Sequence, residues 1–182
     1  MTGRATPAHY SPQLDSDTRR PTPATGGERE TLNAVLDWHR ATFALKCAGL
    51  STEQLSEKAV PPSGLSLHGL VRHLAGCERW WFRIQFAGEE LPLLYYSDDD
   101  PDQDFTALDG DADEAFAVWR AECERSREIV AAAPSLEETG IRKRTGEPVS
   151  LRSILVDRIA EYARHNGHAD LLRERLDGTI GR

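Results

Sequence analysis

Apolar residues return every third or fourth position in four separate stretches of this chain, and no stretch shows the alternation that a half-buried strand needs. Four amphipathic stripes must bury their apolar sides against one another, so the pattern predicts an all-α four-helix bundle. The first stripe begins at Glu28 and carries Leu32, Val35, Leu36, His39, Phe43, Cys47 and Leu50. The second follows the Pro61-Pro62 break. Ser66 is placed to cap it, Leu70, His73, Leu74, Cys77, Trp81 and Ile84 share one side, and Gly88 closes it. The third is expected from Asp113 to Ala133, before Pro134. The fourth is expected from a Ser150 cap to Leu176, before Gly178.

Residues 1–27 hold Pro7, Pro12, Pro21, Pro23, Gly26 and Gly27 among polar residues and read as a flexible tail, which leaves 28–178 as the bundle domain. The acidic, turn-rich stretch Glu89 to Asp111 reads as a long crossover loop draped on the bundle, and Gly140 to Pro148 as a tight turn or small hairpin. Within the crossover, Asp98, Asp99, Asp100, Asp102 and Asp104 resemble a calcium loop only superficially. The sixth-position Gly and terminal Glu are missing, so a solvated acidic loop is expected. A net charge of −8, from 30 acidic and 22 basic residues, argues against a broad grip on nucleic acid or an anionic membrane. Cys47, Cys77 and Cys123 are widely spaced within helical patterns, which disfavours a disulfide framework. With no membrane-spanning run and no signal-peptide layout, the expected location is the cytoplasm.

The fourth helix carries the chemistry. Glu161 and His165 are one turn apart, within about 40° of each other at about 100° per residue, and share the bundle-facing side with Ile154, Ala169 and Leu172. Two readings stand: a buried Glu-His hydrogen bond that locks the helices, or two metal ligands. His73, at the edge of the second stripe, gives the metal reading a third donor, and two imidazoles with one carboxylate suit zinc, nickel, iron or manganese. His68, five residues before His73 and so turned about 140° away, is expected to be exposed. His9 lies in the tail. His168 is placed to orient His165 or to bind a ligand, and His39 shares the first stripe as a core histidine that can approach the site. Adjacent helical positions diverge, so of Trp80 and Trp81 one is expected in the core and the other at the surface. Glycine-rich phosphate loops, nucleophile elbows and Cys-x-x-Cys pairs are absent from the sequence.

Taken together, Leu65-Ser66-Leu67, Leu70-Val71-Arg72-His73-Leu74-Ala75, Glu78-Arg79-Trp80-Trp81 and the run Glu161 to Glu174 resemble the DinB/YfiT-like superfamily, nearest its actinobacterial branch of unknown function sometimes named after a mini-circle protein. The resemblance spans nearly everything from Glu28 to Gly178. It implies an up-down-down-up bundle, a metal between the second and fourth helices, and often a homodimer. Many members place His-x-x-x-His on the fourth helix, where this chain has Glu161 and His165. A distant relative, mycothiol-dependent maleylpyruvate isomerase, uses a His, Glu, His set, so His73, Glu161 and His165 carry over as ligands. Characterised relatives imply a metal-dependent transferase or isomerase that uses a low-molecular-weight thiol, mycothiol in an actinobacterium, with an electrophile as second substrate.

The first functional expectation is therefore a divalent-metal-dependent thiol S-transferase, with zinc or nickel ahead of iron or manganese. His168 and Asp157 are candidates for orienting a ligand or moving a proton, and Arg158 for neutralising Glu161 or meeting an anionic substrate. The alternatives are a non-catalytic dimeric bundle, such as a stress-response protein with a structural polar core, and a small-ligand carrier.

Overall fold

The computed structural model describes Asp17 and residues 19–181. Among these, four long helical stretches form the frame: α1 (Glu28–Cys47), α3 (Leu67–Glu78) continued by a π-helical segment (Arg79–Phe86), α5 (Ala112–Ala132) and α6 (Leu151–Asp177). Two short helices, α2 (Thr52–Ser56) and α4 (Gln103–Thr106), lie in the connections, and β1 (Thr139–Ile141) pairs antiparallel with β2 (Pro148–Ser150). The excursion expected before the fourth helix is thus a hairpin. The tail expected over 1–27 lies outside the described residues at 1–16 and 18. Within its described part, the Arg19 guanidinium sits 5.3 Å from the centre of the Trp38 ring on α1.

Local chemistry sets the helix ends. The Ser66 hydroxyl accepts from the Gly69 amide at 3.1 Å, and the Ser150 hydroxyl accepts from the Ser153 amide at 3.2 Å. Gly178 ends α6 with φ of 77°, a conformation that glycine adopts without steric cost.

Helix directions follow from named pairs. Arg152 near the start of α6 pairs with Glu28 at the start of α1, and Arg173 near the end of α6 donates to the Lys46 carbonyl near the end of α1, so these two run parallel. Arg29 at the start of α1 donates to the Val130 carbonyl near the end of α5, which runs the other way. His73 on α3 meets His165 on α6, and Trp81 in the continuation of α3 meets Arg158, earlier on α6, so these two run antiparallel. The order is up-down-down-up, with Phe43, Leu70, Leu74, Phe82, Ile154 and Leu155 deep in the core.

Two expectations are corrected here. His68 is fully buried rather than exposed, with Nδ1 at 3.0 Å from the Ser56 hydroxyl. The cover is α2, a single capped turn too short for an apolar period to reveal. Trp80 and Trp81 are both half-buried, and the core residue is Phe82. The cause is the π-helical segment: its i to i+5 hydrogen bonding widens each turn and shifts the phase of everything beyond Glu78.

Candidate metal centre

Three donors from two antiparallel helices converge. On α6, Glu161 and His165 stand one turn apart, and their side chains meet with His165 Nε2 at 3.1 Å from Glu161 Oε1. From α3, His73 Nε2 faces the same oxygen at 3.1 Å. One ligand atom from each of the three residues lies within 4.8 Å of the others, close enough for all three to contact one cation without a change of fold. The His73 and His165 rings meet edge-on with centroids 4.8 Å apart.

Each imidazole is held from behind. His73 Nδ1 lies 2.8 Å from Asp104 Oδ2, and the Phe105 ring stacks on His73 at 5.2 Å. His165 Nδ1 faces His168 Nδ1 at 3.2 Å. A carboxylate behind the far nitrogen of a histidine fixes its ring orientation and leaves the near nitrogen free to ligate. Asp104 was expected within a solvated acidic loop; it is only 2% exposed, whereas Asp98 to Asp102 remain outside. The difference arises in α4, whose single turn swings Asp104 inward. The available signal was Phe105 beside it, an aromatic in an otherwise acidic stretch. Gly69 permits the approach, since a Cβ there would stand 3.0 Å from the Phe105 ring.

Electrostatics bind the cluster tightly. The imidazoles of His165 and His73 pull the Glu161 carboxyl far below the usual carboxylate range. Burial works against charge on His73, but Asp104, Cys77 and Glu161 outweigh it and hold its pKa up at about 12. Burial lowers His168, assisted by neighbouring His165 and Arg164.

Cys77, which the sequence offered only as a residue of the second stripe, comes to 3.5 Å from His73 Nε2. The remaining sequence candidates fall at different distances. Arg158 forms its ion pair with Asp157, whose side chain is half exposed, and stacks over Trp81 without bonding Glu161. His39 faces Asn166 Nδ2 at 3.3 Å and packs edge-on against Trp38, contacts that engage it away from the cluster. Cys47, Cys77 and Cys123 are free thiols.

An up-down-down-up helical bundle with a His, Glu, His cluster between its second and fourth long helices defines a DinB-like protein. The chain matches the mycothiol-S-transferase family over residues 31–178, and it belongs to that family. A solved structure, that of a conserved protein from Enterococcus faecalis, aligns with a TM-score of 0.62 at 16% identity, covering 85% of this chain and 100% of the other. At that identity the likeness concerns the fold alone. Comparison with curated proteins gives no significant match. No helix among the described residues is long and apolar enough to cross a membrane.

Proposed function

We propose that this chain is a divalent-metal-dependent thiol S-transferase, or an isomerase working through the same thiol chemistry, with mycothiol as the thiol. The observation that carries the reading is the convergence of His73, Glu161 and His165, with the far nitrogen of His73 held by buried Asp104. The family supplies the thiol. Two imidazole nitrogens and one carboxylate oxygen fit zinc or nickel best and are compatible with iron or manganese. A divalent cation held there would favour the thiolate over the thiol, and so provide a nucleophile at neutral pH.

The chain's own residues do the positioning. Asp104 orients His73, and His168 sits behind His165, where it can take up or return a proton. Phe105 covers one face of His73 and excludes water from it. Asp157 serves this reading only through its pair with Arg158. The homodimer implied by the resemblance belongs to the same proposal and is checked by sedimentation equilibrium.

A second reading has one observation in its favour. With its raised pKa, a charged His73 bridging Asp104 and Glu161 satisfies the cluster with no cation, as a structural clamp would. Metal analysis separates the two. Protein purified without a nickel column should carry stoichiometric metal, His165→Ala should lose it, and Asp104→Asn should bind it roughly 10–100-fold more weakly. Absence of stoichiometric binding across zinc, nickel, iron and manganese would establish the clamp instead. Metal-replete protein should then accelerate transfer from mycothiol to an electrophile, and no acceleration would defeat the transferase reading.

A further inference from the structure

Beyond the His, Glu, His cluster the same two helices continue to face each other. Along α3, Cys77 and Trp81 follow His73 at intervals of four residues, and on α6 Arg158 precedes Glu161 by three. Arg158 is only 4% exposed, and its guanidinium lies 5.1 Å from the centre of the Trp81 ring. Its Nη2 donates to Asp157, but Nε and Nη1 have no hydrogen-bond partner. Those two nitrogens carry three N–H donors of a permanent cation, and leaving them unmade in a buried place is costly. Glu161 and Cys77 are near enough to feel the charge, yet neither accepts a bond from it.

The surroundings are cationic and aromatic in a chain of net charge −8. Arg142, in the hairpin turn, stands 5.6 Å from the same Trp81 ring, and Arg144 stands 5.7 Å from Trp80. Trp81 walls two open cavities of about 410 and 580 Å³, the first shared with Tyr96 and Arg144 and the second with Val156 and Asp157, and Arg158 lies behind the Trp81 ring rather than in either lining.

We infer that Arg158, backed by Trp81, anchors a carboxylate of the substrate, so that one partner in the transfer reaction is an organic anion. The inference rests on the reading of the neighbouring cluster as the reacting centre. A carboxylate entering from these cavities past the Trp81 ring would accept the free donors of the buried Arg158, where a charge-assisted bond is strong. Three residues of helix separate Arg158 from Glu161, a rise of about 4.5 Å. The carboxylate belongs to the electrophile, the partner that the proposed function leaves open.

The test begins with metal-free protein, so it does not depend on the cluster holding a cation. Benzoate and its neutral counterpart benzamide are titrated against tryptophan fluorescence and against the Nε–Hε resonance of Arg158. Benzoate should bind at least tenfold more tightly and shift that resonance, and Arg158→Met should erase the difference while Arg158→Lys restores part of it. Equal binding of the two probes, or an unmoved resonance, would overturn the anchor. Both readouts use the native chain, so they decide the matter even if Arg158→Met does not fold. Metal-loaded protein then identifies the source of the anion. In one arm 2-mercaptoethanol attacks 4-chloro-3-nitrobenzoate or the corresponding benzamide; in the other, 3-mercaptopropionate or 2-mercaptoethanol attacks the benzamide. Sulfur displaces chloride and the thiol proton passes to buffer. A lower KM for the carboxylated electrophile supports the anchor; a preference for the carboxylated thiol alone, or no preference in either arm, opposes it. Absence of transfer with every pair would count against the transferase reading and leave the benzoate titration to decide the anchor.

Discussion

Glu78 is a fully buried carboxylate whose partners come from three other helices. Arg40 of α1 donates to both its oxygens at 2.8 and 2.7 Å, the Tyr162 hydroxyl of α6 donates at 2.8 Å, and the Cys123 thiol of α5 lies 3.6 Å away. Burial pushes the Glu78 carboxyl up, yet Arg40 and Tyr162 prevail and hold it below the ordinary carboxylate value. A folded-state pKa below the unfolded one gives stability that is complete above the unfolded value, about 4.3, and is lost as pH falls toward the folded one. Urea midpoints should therefore decline below about pH 5, and less steeply in Glu78→Gln. At pH 7 that variant should lose about 3–5 kcal/mol, because it strands a buried guanidinium, and adding Arg40→Met should recover much of the loss. An unchanged midpoint in the single variant would contradict the assignment. At this scale the sequence was legible within each helix: turn arithmetic aligns Glu161 with His165, the edge of the second stripe offers His73, and family likeness joins the three. Pairings such as Arg40 with Glu78, 38 residues apart, or His73 with Asp104, 31 apart, depend on how segments meet, and no local period encodes that.

Elements were easier to read than contacts. Ser66, Ser150 and Gly178 marked boundaries because caps answer to local backbone chemistry, and all three long-helix ends they predict are found. The α2 turn and the π-helical segment escaped notice, the first for its brevity and the second because it breaks the 3.6-residue period. That segment also receives the hairpin. A Cβ at Gly140 would lie 2.2 Å from the Gln85 carbonyl oxygen and 2.4 Å from the Phe86 Cα, both backbone atoms that cannot turn aside. Gly140→Ala should displace β1 from the helix end, lower stability by about 1–3 kcal/mol as overpacking does, and redden tryptophan emission as Trp80 and Trp81 lose the cover of Arg142 and Arg144. Unaltered emission and melting would show that the hairpin docks elsewhere.

For the whole molecule, the four stripes specify the bundle because every helix needs the others to cover its apolar side. Among the described residues before Glu28, Arg19 lies over Trp38, a contact of a kind worth about 0.5–1 kcal/mol at an exposed site. A chain beginning at Glu28 should keep its helicity and melt cooperatively, with a loss of that order in circular-dichroism melts, and a collapse of cooperativity would place part of the core before α1. Glu161 and Tyr162 are neighbours on α6 that turn opposite ways, one into the cluster and the other into the polar knot that joins all four long helices. Any local unwinding of α6 that released Glu161 would also pull Tyr162 from that knot, which ties the helical side of the cluster to the stability of the whole bundle. The crossover that carries Asp104 and Phe105 is the one side of the cluster built from a loop rather than from a long helix, so it is the side that can yield while the bundle stays intact.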